Sequence, residues 1–158
     1  MKKIVLLIIF LSLKSYAQEI PISDLETVDG ETISSEIISK ASSKPIVVTF
    51  WATWCIPCLT ELSAIHETFD VWKEKYQFDL YAIAVDDDRT AKKIPALVAG
   101  KGWPYKVLLD TNQDLKRKLN INSIPYLMVV KNGKIIFKKT GFVKGDELKI
   151  EKILAENQ

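Results

Sequence analysis

The stretch "WATWCIPC", Trp51 to Cys58, contains the only two cysteines of the 158-residue chain, and Ile56 and Pro57 separate them. The run "KPIVVTFW", which begins at Lys44 and ends at Trp51, leads directly into it. Its continuous apolar and β-branched side chains are typical of a strand covered on both faces. The cysteine pair therefore follows the end of a buried strand.

A helix is predicted immediately after the pair. Counting from Cys58, apolar side chains recur in alternating steps of four and three residues, at Leu62, Ile65, Phe69, Trp72 and Tyr76. Cys58 lies on this buried stripe, whereas Cys55 meets the unpaired N–H groups and the positive dipole end of the helix. Both features favour a thiolate at Cys55. We therefore expect Cys55 to be exposed and nucleophilic, and Cys58 to be shielded.

Structural roles for the pair are less favoured than a redox role. A disulfide closing a four-residue loop stabilises a fold by about 2 kcal/mol, against about 3 kcal/mol for fifteen residues. Two cysteines cannot complete a four-ligand zinc site, and the only histidine, His66, lies about 12 Å further along the helix. In a reactive pair, Cys55 attacks a substrate disulfide and Cys58 resolves the mixed disulfide. Pro57 fits the first helical turn and stiffens the spacer.

Glu61 is the candidate base for the resolving cysteine. A shielded thiol needs help to lose its proton, because burial disfavours the thiolate. At 100° per residue, Glu61 lies about 60° to one side of the stripe through Cys58. Partial burial is then expected to raise the pKa of Glu61. The alternative is a solvated glutamate near a helix N-terminus.

The remaining sequence predicts one α/β domain. "ETVDGETI" predicts an N-terminal hairpin at Asp29-Gly30, and the strongest turn signal, Asn132-Gly133, predicts a second hairpin within "PYLMVVKNGKIIFKKTGF". "FDLYAIAV" and "YKVLLD" predict strands, and "QDLKRKL" and "DELKIEKILAENQ" predict helices. "TAKKIPALVAGKG" predicts a helix that Pro95 disturbs and that Gly100 and Gly102 end. In "VDDDRT", Asp86 to Asp88 are expected to form a solvated turn and helix cap.

The N-terminus resembles a cleaved secretory signal peptide. Residues 1–17 combine a basic start, the apolar run "IVLLIIFLSL" and a small-residue site at Ala17, which leaves a domain over residues 18–158. The apolar run makes a helix of only about 15 Å, short of the roughly 30 Å that a membrane anchor needs. Removing its three lysines from the 22 basic residues leaves 19 against 20 acidic residues. This balance gives no reason to expect a nucleic-acid partner.

"FWATWCIPCLTEL" resembles the thioredoxin superfamily, and within it the secreted TlpA/ResA-like thiol-disulfide oxidoreductases. The resemblance implies an α/β thioredoxin-like fold, a central mixed sheet flanked by helices, with the N-terminal β-hairpin as an extension. "SIPYLMVVKNGKIIFKKTGF" matches the family's cis-proline loop and final hairpin, which implies a cis Ile124-Pro125 bond and pairing of the Ile124 backbone with substrate. On the residues alone, Pro125 could merely begin a strand.

The resemblance also assigns neighbouring residues. Glu61 coincides with the acidic residue of ResA-like proteins, and Thr49 stands where cytoplasmic thioredoxin has a buried aspartate. Trp54 and Pro57 join Ile124 and Pro125 as expected substrate-binding residues. Trp51, Trp54 and Tyr126 are expected to be partly exposed around the sulfurs, with simple packing as the alternative.

These expectations define a periplasmic protein-disulfide reductase with no bound cofactor and no metal. The expected partners are oxidised protein substrates, with apocytochrome c among the candidates, and a membrane thiol-transfer protein of the DsbD or CcdA type. We expect a monomer. A disulfide oxidase or isomerase stays open, because the spacer residue Ile56 departs from many relatives and the spacer tunes the redox potential. A Sco-like copper chaperone would require a longer cysteine spacing. A peroxidase would require threonine three residues before the attacking cysteine, where this chain has Ala52.

Overall fold

The computed structural model describes residues 19–158, so the predicted signal peptide, residues 1–17, lies outside the described residues. The strands are β1 (Asp24–Thr27), β2 (Thr32–Ser34), β3 (Ile46–Trp51), β4 (Asp79–Ala84), β5 (Lys106–Leu109), β6 (Tyr126–Lys131) and β7 (Lys134–Thr140). The helices are α1 (Glu36–Ser39), α2 (Ile56–Tyr76), α3 (Asp88–Ala91), α4 (Ile94–Lys101), α5 (Asp114–Lys118) and α6 (Glu147–Glu156).

The strands form one mixed sheet in the order β2-β1-β5-β4-β3-β6-β7. The inner strands β3, β4 and β5 run parallel, and the other neighbouring pairs are antiparallel. All six residues of β3 are buried, as its continuous apolar run predicts. The predicted α/β architecture, a mixed sheet flanked by helices, is confirmed.

The register of β3, β6 and β7 aligns one residue from each strand across the sheet. Thr49 of β3 pairs with Leu127 of β6, and Leu127 pairs in turn with Lys139 of β7. Directly opposed residues of antiparallel strands point their side chains to the same face of the sheet. Thr49 and Lys139 therefore share one face, on either side of Leu127.

Helix α2 carries the predicted apolar stripe. Its buried residues include Cys58 and every member of that stripe, Leu62, Ile65, Phe69, Trp72 and Tyr76. The helix ends at Gln77, which adopts the left-handed conformation with φ of 50°. Helix α6 packs against α2, and the hydroxyl of Tyr76 on α2 donates a 2.9 Å hydrogen bond to Glu151 on α6.

The N-terminal hairpin is confirmed, and it also extends the main sheet. β1 pairs with β2 around the Asp29-Gly30 turn and pairs on its other side with β5 in antiparallel orientation. The second predicted hairpin, β6 and β7 around Asn132-Gly133, is confirmed as well. At Asn132 and Gly133 the values of φ are 51° and 74°, the positive values that an Asn-Gly hairpin turn requires.

The single helix predicted around Pro95 is wrong. The chain forms two helices there, α3 and α4, and Pro95 lies in the first turn of α4. A proline in the first turn gives up no intrahelical hydrogen bond, so it starts a helix more readily than it interrupts one. Gly100 lies inside α4, whereas Gly102 ends it with φ of 61°. None of the helices within residues 19–158 combines the length and apolar character needed to cross a membrane.

Candidate active site

Cys55 and Cys58 form a disulfide at the junction of β3 and α2, with an S–S distance of 1.98 Å. Cys58 has no exposed surface and Cys55 keeps only 6%. The shielding of Cys58 is as predicted, but the prediction of an exposed Cys55 is wrong for this disulfide form. Its sulfur is bonded to that of buried Cys58, which holds it against the start of the helix. The small exposed area belongs to Cys55 alone.

The start of α2 stabilises negative charge at Cys55. Cys55 is the N-cap residue, no side chain caps the helix, and the first turn contains no acidic residue. The N–H groups of this turn and the positive end of the helix dipole are therefore not neutralised by a local carboxylate. Pro57 occupies this first turn, as predicted.

Glu61 lies one turn beyond Cys58 and is almost completely buried, with 2% of its surface exposed. The hydroxyl of Thr49 on β3 donates a hydrogen bond of 2.5 Å to Oε2 of Glu61. Burial raises the pKa of Glu61 to about 7, against the opposing effects of the Thr49 hydrogen bond and the charge of Lys139, while the charge of Asp146 adds to the rise. The carboxyl group therefore titrates near neutral pH, one helical turn from Cys58.

Asp86 is a site-supporting residue that sequence reasoning placed wrongly. Its expected neighbours behave as predicted: Asp87 caps α3 by accepting a 2.8 Å hydrogen bond from the Thr90 N–H, and Asp88 is exposed. Asp86 itself is buried, and its carboxylate accepts hydrogen bonds from the backbone N–H and the hydroxyl of Thr53. These bonds fix the loop between β3 and the cysteines.

We expect an Asp86→Ala substitution to lower the free energy of unfolding by about 2 to 4 kcal/mol. The change leaves the N–H and hydroxyl of Thr53 without their carboxylate acceptor, and hydrogen bonds to charged groups contribute about 1.5 to 3 kcal/mol each. Urea denaturation of the oxidised protein measures this loss. Asp88→Ala is the matched control, with an expected change below about 0.5 kcal/mol. Equal losses in the two variants would contradict the supporting role of Asp86.

The loop before β6 lies at the same end of the sheet as the disulfide. The Ile124-Pro125 peptide bond is cis, and the carbonyl of Pro125 accepts a 2.7 Å hydrogen bond from the N–H of Gly141. Tyr126, the next residue, pairs with Phe50 near the end of β3. Because β3 runs on into the cysteine loop, this register brings Pro125 to the side of the site.

The aromatic and apolar residues around the sulfurs divide into exposed and buried groups. Trp54 is 62% exposed and Ile56 is 77% exposed, which gives the site an uncovered apolar surface, whereas Tyr126 is half-buried. Trp51 has no exposed surface, and its ring packs edge-on against Trp103 with 5.2 Å between ring centroids. The expectation of partial exposure is therefore wrong for Trp51, which is a packing residue.

His66 does not join the cysteines in the described structure. It is half-buried on α2, as a helix residue eight positions beyond Cys58. Within residues 19–158, no group of three or more histidine, cysteine, aspartate or glutamate side chains is arranged to hold a metal ion.

The mixed sheet, with a cysteine pair at the start of its long helix, is that of a thioredoxin-like protein. A family model described as the AhpC/TSA family matches residues 16–145, and the chain belongs to this family. A thioredoxin-like protein from Porphyromonas gingivalis is 38% identical, with a TM-score of 0.76 over 89% of this chain and 92% of that one. StoA from Bacillus subtilis shares the fold, with 22% identity and a TM-score of 0.65 over 84% and 97% of the two chains.

Two curated relatives are named a thiol-disulfide oxidoreductase and a thioredoxin-like protein. Thiol-disulfide oxidoreductase ResA from Bacillus anthracis is 28% identical over 116 residues, which are 73% of this chain and 62% of that protein. Thioredoxin-like protein YneN from Bacillus subtilis is 27% identical over 111 residues, 68% and 61% of the two chains. The chain thus spans about three fifths of the length of these relatives.

Proposed function

We propose that the protein is an extracytoplasmic thiol-disulfide oxidoreductase that reduces disulfides in other proteins. One observation supports this most directly: the Cys55-Cys58 disulfide lies at a helix N-terminus, and a buried carboxyl group lies one turn further along the same helix. Such an arrangement pairs an anion-stabilising environment for one sulfur with a proton acceptor for the other. The names of the ResA relatives point to the same chemistry.

The reaction begins from the reduced pair. The Cys55 thiolate attacks one sulfur of a substrate disulfide, which forms a mixed disulfide and releases the other substrate sulfur as a thiolate. Glu61 accepts the proton of Cys58, and the Cys58 thiolate then attacks the Cys55 sulfur. The Cys55-Cys58 disulfide forms and the second substrate thiol leaves, so that two electrons pass from the protein to its substrate. The cycle needs no bound cofactor.

The surroundings of the pair suit a protein substrate. Trp54, Ile56 and Pro57 are exposed beside the disulfide and offer apolar contacts to a chain that approaches Cys55. The half-buried Ile124 precedes the cis-proline, and its backbone is the proposed pairing partner for an extended substrate segment. We propose that the protein binds such substrates as a monomer, and that apocytochrome c is among them.

The compartment and the electron donor follow from the chemistry and from residues 1–17. We propose export to the periplasm through a cleaved signal peptide, because the sequence of those residues has the required three parts. An oxidising compartment does not keep a dithiol reduced unaided. We therefore propose that a membrane thiol-transfer protein of the DsbD or CcdA type reduces the pair again.

The reduction potential of the Cys55-Cys58 pair tests the direction of electron flow. The protein is equilibrated in graded thiol buffers and followed by tryptophan fluorescence, since Trp54 immediately precedes Cys55. We expect a potential near or below about −250 mV, close to the value of about −270 mV for thioredoxin. Such a pair reduces disulfides whose potentials are less negative than its own, as those of strained or exposed disulfides are.

A more oxidising pair would overturn the reductase assignment. A potential of about −120 to −180 mV, the range of DsbA and protein disulfide isomerase, would make the protein a disulfide oxidase or isomerase. The Cys58→Ser variant is the control, because it cannot close the internal disulfide and its fluorescence should show no such transition.

A further inference from the structure

A lysine and an aspartate lie on the same face of the sheet as the buried carboxyl group of Glu61. Thr49, which donates its hydroxyl to Glu61, is aligned through Leu127 with Lys139 two strands away. Two strand spacings are about 10 Å, and the long side chains of Glu61 and Lys139 reduce this separation. Lys139 on β7 and Glu61 on α2 therefore lie on the same face of the sheet, near enough for the charge of Lys139 to act on the Glu61 carboxyl group.

Asp146 holds the Lys139 ammonium group at this position. Nζ of Lys139 lies 2.5 Å from Oδ2 of Asp146 and donates a 2.6 Å hydrogen bond to the carbonyl of Gly141. Asp146 also accepts hydrogen bonds from the N–H of Val143 at 2.9 Å and from Nζ of Lys149 at 2.8 Å. With 4% of its surface exposed, Asp146 is a buried anchor just before α6, and α6 packs on α2.

We propose that Lys139, held in place by Asp146, is a positioning residue that sets how readily the Glu61 carboxyl group takes up a proton. A cation on the same face favours the carboxylate, and the aspartate that anchors the cation partly cancels this effect. The ion pair thus adjusts the proton affinity of Glu61, in addition to the larger effects of burial and the Thr49 hydrogen bond. In the reaction proposed above, on which this part of the inference rests, it controls the pH at which Cys58 resolves the mixed disulfide.

The other groups that face Glu61 are neutral or are engaged elsewhere. Thr49 approaches from β3 as a hydroxyl donor, and Cys58 lies on α2 within the disulfide. Tyr105, in the segment before β5, donates its hydroxyl to the carbonyl of Leu62 at 3.1 Å. Its pKa is raised by burial and by the charge of Glu61, so it stays protonated where Glu61 titrates. The balance of charge at Glu61 is therefore set by Lys139 and Asp146.

The test is a pH titration of the Glu61 carboxyl carbon by NMR in the oxidised protein, where neither cysteine titrates. In Lys139→Met the cation is lost, and we expect the pKa of Glu61 to rise by about 0.5 to 1 unit. In Asp146→Asn the anion is lost, and we expect a fall of similar size. Lys139→Arg keeps the cation and should leave the pKa of Glu61 within about 0.3 unit of the wild-type value.

Lys138→Met is the matched control, because Lys138 is the exposed neighbour that alternates to the other face of β7. Opposite shifts of the Glu61 pKa in Lys139→Met and Asp146→Asn, with no shift in the control, support the inference. This holds whether or not the protein reduces disulfides. An unchanged pKa of Glu61 in both of these variants overturns it, even if the protein reduces disulfides. In an active enzyme, the pH midpoint of the resolving step should move with the pKa of Glu61 in each variant.

Discussion

The Cys58→Ser variant is expected to remain covalently joined to its protein substrate. Cys55 can still attack the substrate disulfide, but no second thiol is present to release the product. Multiple-turnover reduction should fall by about 10³-fold or more, as when an enzyme loses one member of a set of residues that act as a unit. Mass spectrometry after mixing with an oxidised protein substrate should detect one substrate chain on Cys55.

The reciprocal variant separates the roles of the two sulfurs. Cys55→Ser leaves only Cys58, which has no exposed surface, so adduct formation should be slower than in Cys58→Ser by at least about tenfold. The two variants differ from each other only in which sulfur remains. If both formed the adduct at the same rate, the assignment of Cys55 as nucleophile and Cys58 as resolving residue would have to be abandoned.

Replacing Glu61 with glutamine is expected to stabilise the oxidised protein at pH 8. The pKa of Glu61 is about 7 in the folded protein against a reference value of 4.5, so the folded state holds this proton more tightly than the unfolded state does. This contribution to stability is complete at low pH and is lost as the pH rises from about 4.5 to 7. Glutamine does not ionise and can still accept the Thr49 hydrogen bond. Between pH 5 and pH 8, the variant should gain about 2 to 3 kcal/mol of unfolding free energy relative to wild type.

Urea denaturation at the two pH values measures this gain, and Glu67→Gln is the control because Glu67 is exposed on the same helix. The same Glu61→Gln variant should resolve mixed disulfides at least about tenfold more slowly near pH 8, since a positioned base contributes about 10² to 10⁴ in rate. Attack by Cys55 should change less. A resolution rate that matched wild type at every pH would argue against Glu61 as the proton acceptor.

Local patterns in the sequence were sufficient for most of the fold. The stripe from Cys58 to Tyr76 predicted α2, the Asn132-Gly133 turn predicted the final hairpin, and the buried run ending at Trp51 predicted the inner strand β3. These features depend on neighbours within a turn of helix or along one strand. The position of the cysteine pair at the strand-to-helix junction follows from the same short-range information.

The parts that could not be predicted depend on residues distant in the chain. Asp86 resembles a solvated turn residue until its partner Thr53, 33 residues earlier, is known. The depth at which Glu61 is buried could be predicted only in part from its angle on the helix, because its contact Thr49 belongs to a strand twelve residues earlier. The proximity of Lys139 to Glu61 depends on the strand order of β3, β6 and β7, which the order of elements in the sequence does not define.

Both outer strands of the sheet are poor templates for aggregation. The strand at one edge, β2, has only three residues. The strand at the other edge, β7, exposes Ile136 between Lys134 and Lys138, and Lys134 already forms a β-bridge with Glu19. Short edges and outward lysines discourage pairing between chains. The protein can therefore keep Trp54 and Ile56 uncovered at the cysteines without its edges recruiting further copies, and it should stay dispersed at concentrations where an unprotected sheet would form fibres.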